Sequence, residues 1–142
     1  YSLSSKYLLP NYALVDPAFC LKQSSYQIAC SGMDAFSQAI ESYWAVNSTD
    51  KSKKYATSAI RLCNENILNA YRYKDKKSIY NMATAANYSG KAINISKTTA
   101  PHSVSYPITS YLNLPHGHAV SLTLPQFLKF NYNYMLLIIS QI

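Results

Sequence analysis

Apolar residues recur at helical spacing after the first thirty positions of the chain. Within residues 33–46 they follow one another every three or four positions, the spacing of an amphipathic helix. They are Met33, Phe36, Ile40, Tyr43 and Trp44. The polar residues Asp34, Gln38 and Glu41 follow at i, i+4 and i+7, so they share another face of the same helix.

Cap residues and spacing predict four further helices. The segment "STD" at 48–50 supplies an N-cap for a second helix, whose apolar positions are periodic. These positions are Tyr55, Ala59, Ile60, Cys63, Ile67 and Tyr71. Asp75 can cap a third helix that runs from about 76 to about 93. A short helix is expected from about 102 to 111, and a last helix from about 118 to 132, interrupted near Pro125.

No strand pattern alternates with these helices, so the sequence predicts an all-α helical bundle of about five helices. Residues 1–30 contain two prolines and are expected to form an N-terminal segment outside the bundle. Residues 31–134 are expected to form a partial all-helical domain. Residues 135–142 are treated as a separate tail.

Composition narrows the classes of protein to which the chain could belong. With 142 residues, 49% of them hydrophobic, the chain can form one domain with a core. None of the three glycines lies in a glycine-rich nucleotide-binding loop. Three cysteines without a C-x-x-C spacing predict reduced, mostly buried thiols in a cytoplasmic protein. No signal peptide or bilayer-length apolar run occurs, so no membrane partner is expected.

The net charge of +7 raises the question of nucleic acid. Most of the excess lies in "DKSKKY" (50–55) and "YRYKDKK" (71–77), where solvated lysines at helix ends are the simpler explanation. No DNA- or RNA-binding motif accompanies these runs, so no nucleic-acid partner is expected. The basic surface could attract an anionic substrate. A basic, tyrosine-rich binding module stays open as an alternative function.

The histidines carry the candidate chemistry. His102 and His116 flank a proline-containing turn, and Asp34 is a carboxylate on a polar helix face. One carboxylate and two imidazoles suit Zn²⁺ or Fe²⁺. Each residue also has a plainer role, since the histidines could be packing or surface residues and Asp34 could cap a helix after Gly32. Spacing alone leaves both interpretations open.

Several motifs then indicate a family. The stretch "DPAF…SGMDAFSQAIESYWAVNSTDKSKKYATSAIRLCNENILNAY" is followed by "AANYSGKAIN…APHSVSYPIT…PHGHAVSLTLPQFLKFN". Together these segments resemble the iron-containing (group III) alcohol dehydrogenase family, in order, from about residue 9 to 131. Within that family they look most like the branch that includes phosphonoacetaldehyde reductases.

The resemblance implies a two-domain parent of the dehydroquinate synthase-like fold. In this family an N-terminal α/β domain binds NAD(P), and a C-terminal helical domain holds the metal. The chain looks like the first part of that helical domain, so NAD(P)H would bind on a domain that this chain lacks. The full-length protein is expected to be a homo-oligomer. The alternative is a catalytically inactive truncated product, and a chain that begins at Tyr1 agrees with a fragment.

The resemblance also implies a ligand set. Asp34, His102 and His116 would bind the metal, either Fe²⁺ or Zn²⁺. The position four residues after the aspartate, usually a fourth histidine ligand, is Gln38 here. Gln38 could be a weak fourth ligand, or the site could keep three protein ligands and an open position, as in the zinc-dependent glycerol dehydrogenase branch.

Two further residues take roles by resemblance. Tyr106 stands where many relatives place a histidine near the nicotinamide, so it could pass a proton or simply pack. Lys97 could bind a phosphonate or other anionic group, or lie in solvent. The implied activity is NAD(P)H-linked reduction of a small aldehyde, or oxidation of the alcohol, with phosphonoacetaldehyde as one candidate substrate. Glu41 and His118 are expected to support the site from outside the ligand set.

Overall fold

The computed structural model describes residues 5–8 and 10–139, and side chains within these ranges except Lys6 and residues 134–139. Five α-helices follow two short 3-10 helices, Lys6–Leu8 and Pro17–Lys22. The α-helices are α1 (Ser25–Trp44), α2 (Asp50–Tyr73), α3 (Lys76–Ser96), α4 (Ala100–Leu112) and α5 (His116–Ile139). No strand occurs in the described ranges, so the all-α prediction is confirmed.

The starts of α2 and α3 follow from their caps, as predicted. The Thr49 hydroxyl accepts a hydrogen bond from the Ser52 backbone N–H, and the Ser52 side chain accepts one from the Thr49 N–H, which completes a capping box. The Asp75 carboxylate accepts a hydrogen bond from the Ser78 N–H. A hydrogen bond with the Ser78 side chain, followed by this backbone bond, lowers the pKa of Asp75.

The predicted start of α1 is wrong. The helix begins at Ser25, capped by Ser24, eight residues before Met33, so Gly32 lies inside it. Gly32 fits inside the helix because a neighbouring helix packs closely against this position: a Cβ on Gly32 would lie 3.0 Å from Met82 Cε. The last residues of the predicted N-terminal segment therefore belong to the bundle. Asp34 lies in the helix interior, which excludes the N-cap role considered for it.

The predicted break near Pro125 is also absent, because α5 continues through it to Ile139. Pro125 lacks the N–H that would bond one turn back, a loss that often kinks a helix. Beyond it, Phe127 and Phe130 line an apolar depression with Trp44 and Pro101, so this part of α5 lies against α1 and α4. Much of the predicted tail is thus a continuation of α5; residues 140–142 lie outside the described residues.

Helices α1, α2 and α3 pack against one another, α5 packs on α1, and α4 packs on α5. Small side chains dominate the contacts, so the helices approach closely. The fully or almost fully buried alanines are Ala35, Ala39, Ala45, Ala56, Ala59, Ala70, Ala85, Ala92 and Ala119. The main core cluster adds Ile28, Cys63, Ile79 and Met82 to three of them. In the described ranges, no helix is long and apolar enough to cross a membrane.

The buried side of α1 is not its large apolar face. Tyr43 is 50% exposed, and Met33, Phe36 and Ile40 are only partly buried. Within residues 33–46 the buried positions are small or polar, and Glu41 is completely buried. A helix that buries a carboxylate must satisfy it with donors, so the arrangement of Glu41 decides how the site is built.

The three cysteines offer a direct test of the packing. Cys30 and Cys63 are buried and Cys20 is partly exposed, all as free thiols. Burial raises the pKa of Cys63 from 9.0 to about 12. The folded state therefore holds the Cys63 proton more strongly than the unfolded state does. The free energy of unfolding keeps its full value below pH 9 and decreases as pH rises from 9 towards 12.

We expect an alkylating reagent at pH 8 to modify Cys20 first in the native protein, with Cys63 protected. Mass spectrometry of peptides after timed labelling measures this order. Labelling in urea, where all three thiols should react at similar rates, is the control. Rapid native modification of Cys63 would contradict the packing of α2 described above.

Candidate metal centre

Three helices bring one carboxylate and two imidazoles together, as the sequence proposed. Asp34 Oδ1 lies 3.2 Å from His102 Nε2 and 3.6 Å from His116 Nε2. One ligand atom from each residue lies within 4.8 Å of the others. The two imidazole rings are 5.2 Å apart at an angle of 64°. We call these three residues the Asp-His-His cluster.

Glu41 orients His102 within the cluster. The side chain of His102 is almost buried, and its Nδ1 is hydrogen-bonded to Glu41 Oε1. A carboxylate can only accept, so Nδ1 carries the proton. The other ring nitrogen, Nε2, therefore faces Asp34 and is the nitrogen available to a metal. Outer carboxylates commonly fix a metal-binding histidine in this way.

The second oxygen of Glu41 fixes the start of α4. Glu41 Oε2 accepts hydrogen bonds from the Thr99 backbone N–H at 2.6 Å and from the Thr99 hydroxyl at 3.0 Å. Trp44 Nε1 donates to the same hydroxyl at 2.9 Å. Thr99 is the N-cap residue of α4. Glu41 thus links α1 to the helix that carries His102, and its buried charge is satisfied by three donors.

Two opposing effects set the pKa of His102. Burial alone would lower the pKa of His102, but its hydrogen bonds to Asp34 and Glu41 and their negative charges raise it from 6.5 to about 9. Without a cation, the cluster thus favours a protonated imidazole between two carboxylates. A divalent cation at Nε2 would replace this proton and supply the positive charge that the carboxylates attract.

Gln38 lies one helical turn after Asp34. Its amide Nε2 donates to Asp34 Oδ2 at 2.9 Å, and the Ser89 hydroxyl lies 3.3 Å from its Oε1. Both histidines approach the other carboxylate oxygen, Oδ1. Gln38 is thus adjacent to the cluster, on the far oxygen of Asp34.

Gly117 allows α5 to carry His116 up to α1. A Cβ at Gly117 would lie 2.0 Å from the carbonyl oxygen of Cys30 and 3.1 Å from Asp34 Cβ. No glycine in the described ranges has a positive φ, so close approach is the reason for a glycine here. The start of α5 follows a turn that Asn113 begins in the left-handed region, with φ of 52°.

The other predicted residues are placed differently. Tyr106 is 56% exposed and stacks on the His116 ring at 5.8 Å, so it is not a core residue among the described helices. Lys97 is exposed at the end of α3 and lines a depression with Gly90, Ile93, Asn94 and Thr98, a set that includes no cluster residue. His118 bonds through Nδ1 to the Tyr26 hydroxyl at 2.9 Å and is not part of the cluster.

Several supporting residues were missed at the level of sequence. They are Thr99, Ser89 and Gly117, and no motif of their own marks them. The one available signal was the scarcity of glycine: one of three glycines directly follows a candidate ligand. The roles of Thr99 and Ser89 depend on contacts with α1, which the sequence does not reveal.

The donor set fits a divalent transition metal. Asp34 and His116 are partly accessible, while His102 is enclosed and held by Glu41. One carboxylate and two neutral imidazoles suit Zn²⁺ or Fe²⁺, and the partial exposure allows a further ligand to enter. These residues could therefore hold such a cation.

Comparison with known families covers the segment that carries this cluster. The model of the Fe-containing alcohol dehydrogenase family, C-terminal, matches residues 28–140, which include the whole cluster. The chain belongs to this family. The resemblance found in the sequence is thereby confirmed.

Two relatives show how much of a family member the chain represents. It is 32% identical over 132 residues to phosphonoacetaldehyde reductase of Streptomyces viridochromogenes, covering 92% of the chain and 33% of that protein. It is 30% identical over 131 residues to aldehyde-alcohol dehydrogenase 2 of Entamoeba histolytica, covering 92% of the chain and 15% of that protein. The chain thus spans a third or less of the length of these two relatives.

Solved structures of the family share the helical arrangement. Sulfoacetaldehyde reductase from Bifidobacterium kashiwanohense, solved with NAD⁺, aligns with a TM-score of 0.80 and 31% identity over 82% of the chain and 31% of that protein. An iron-containing alcohol dehydrogenase from Thermococcus thioreducens aligns with a TM-score of 0.86 over 91% of the chain and 33% of that protein. At 22% identity, this second alignment supports the fold alone.

Proposed function

We propose that the chain is the metal-holding part of an NAD(P)H-linked alcohol dehydrogenase or aldehyde reductase. The observation that carries this proposal is the convergence of Asp34, His102 and His116, with ligand atoms within 4.8 Å of one another. Family membership supports the same reaction class. The hydride would come from a nicotinamide bound outside these residues, and the full-length protein would form a homo-oligomer.

The cluster residues would hold Zn²⁺ or Fe²⁺, which in such a site polarises a carbonyl oxygen and stabilises negative charge on it. Asp34 supplies the one carboxylate of the set, and Glu41 keeps His102 Nε2 turned towards it. His116 is the more accessible histidine, at 38% side-chain exposure, so the substrate would approach from its side.

Tyr106 would take part on this accessible side. Its ring stacks on His116, and its exposed phenol can donate a hydrogen bond or a proton to the substrate oxygen. The phenolic O–H of Tyr106 would be the donor in this step.

The substrate proposed is a small aldehyde with an anionic group. Two similar proteins are named as phosphonoacetaldehyde reductase and sulfoacetaldehyde reductase, whose substrates share this chemistry. Lys97 is the candidate partner for the anion, since it follows α3 and lies two residues before Thr99, which Glu41 fixes to the site. Net charge of +7 favours the approach of such a substrate.

Metal removal tests the proposal on the full-length protein. We expect about one divalent metal per chain, as in other single-metal catalytic sites. Dialysis against a chelator should lower aldehyde-dependent NAD(P)H oxidation by at least about a hundredfold, because the metal supplies several kcal/mol of charge stabilisation. Elemental analysis and a spectrophotometric assay measure both quantities. Recovery on adding Zn²⁺ or Fe²⁺ is the control. Full turnover by metal-free protein would overturn the proposal.

A further inference from the structure

The two carboxylate oxygens of Asp34 have different neighbours. Oδ1 faces the imidazole nitrogens of His102 and His116, at 3.2 and 3.6 Å. Oδ2 accepts a hydrogen bond of 2.9 Å from Gln38 Nε2. A cation bound by both histidines would therefore meet Oδ1, while Oδ2 is already occupied by Gln38.

The other end of the Gln38 amide faces the Ser89 hydroxyl. The hydroxyl of Ser89, a completely buried residue of α3, lies 3.3 Å from Gln38 Oε1 and 2.9 Å from the Ala86 carbonyl. Turning the amide over would place Oε1 against Asp34 Oδ2, two acceptors in contact. An ionised carboxylate accepts only, so the NH₂ group must face it.

This orientation suits Gln38 as a donor better than as a ligand. An N–H bond to a carboxylate is charge-assisted, and a glutamine one turn after an aspartate on a helix is well placed to make it. The oxygen that could bind a metal is the amide atom turned towards Ser89. Coordination would require losing the bond to Asp34.

We propose that Gln38 is a positioning residue for Asp34, and that the cluster holds its cation with three protein ligands and an open position. This inference rests on the proposed metal site and specifies its coordination. Three protein ligands with a fourth position for water or substrate is the usual arrangement of catalytic zinc. Gln38 then directs Oδ1 towards the histidines by holding Oδ2.

Cobalt substitution tests this assignment on the full-length protein, because the visible absorption of Co²⁺ reports its coordination number. In Gln38→Leu, an apolar side chain with neither a hydrogen-bond donor nor a metal ligand, we expect the Co²⁺ spectrum of the wild type to be kept. Co²⁺ affinity, measured by competition with a chelator, should fall by about 10–100-fold, as for other lost outer partners. Gln38→His, which offers a new ligand at the same place, should change the spectrum and shows that the method responds.

The outcomes separate the two proposals. A wild-type protein that binds no Co²⁺ would overturn the metal site itself. Co²⁺ binding by the wild type, with a spectrum that changes in Gln38→Leu, would identify Gln38 as a ligand and overturn this inference alone. An unchanged spectrum with unchanged affinity would also overturn it, because the hydrogen bond would then not position Asp34. Circular dichroism checks that each variant is folded.

Discussion

Replacing Gly117 by alanine is expected to destabilise the protein and to disable the metal centre together. The added Cβ would lie 2.0 Å from the carbonyl oxygen of Cys30, whereas ordinary contacts begin at about 3.4 Å. The obstacle is backbone and cannot rotate away, so α5 must move from α1 by more than 1 Å. Overpacking typically costs about 1–3 kcal/mol, and a backbone collision belongs at or above the upper end of this range.

The metal centre is expected to lose its metal because the proposed ligand His116 is the residue directly before Gly117. Metal ligands tolerate errors of only about 0.2 Å in their distances. A displacement of α5 therefore takes His116 Nε2 out of reach of a cation that Asp34 and His102 hold. Chemical denaturation measures the loss of stability, and elemental analysis after dialysis measures the metal.

Gly90 provides a matched control for the same substitution. It is exposed within α3, and a Cβ there would meet nothing within 4 Å. Gly90→Ala should therefore stabilise the protein, by about 0.5–1 kcal/mol, since alanine is the better helix former. If Gly117→Ala were as stable as the wild type and kept its metal, the close approach of α5 to α1 would be wrong.

The sequence predicts the helices well where a local signal sets the boundary. Thr49 and Asp75 begin α2 and α3 because each side chain caps its own helix, a contact within three residues. The start of α1 was misplaced because Gly32 resembled a helix breaker, while the space for it is filled by Met82 of another helix. Likewise, Pro125 predicted a break that packing of the later residues of α5 overcomes.

In the candidate site, too, some features were predictable from the sequence and long-range contacts were not. Resemblance to the family indicated Asp34, His102 and His116, and the structure brings them together. Glu41 was expected as a supporting residue, but its partner Thr99 and the Gln38 partner Ser89 were not predictable, because they are distant in sequence: Ser89 lies 51 positions from Gln38, and Thr99 lies 58 from Glu41. Amphipathic spacing also did not reveal that Glu41 is completely buried, because its burial depends on donors from Thr99 and His102.

His116→Ala is expected to remove metal and turnover together from the full-length protein. With His116 gone, the cluster has one carboxylate and one imidazole, and its metal affinity should fall by more than the roughly 10–100-fold typical of a lost outer partner. Metal should then not survive dialysis, and aldehyde-dependent NAD(P)H oxidation should drop to the background. Stability should change little, because the His116 side chain is 38% exposed and fills no core space.

His118→Ala is the matched control, since it removes a histidine two positions further along the same helix. His118 bonds to Tyr26 and is not a member of the cluster, so its loss should cost about 0.5–1.5 kcal/mol at most and leave the metal bound. The contrast between the two variants isolates coordination from any general effect of losing a histidine at the start of α5. Metal retained by His116→Ala but lost by His118→Ala would mean that the cation lies elsewhere, and the Asp-His-His cluster would then have no role in binding it.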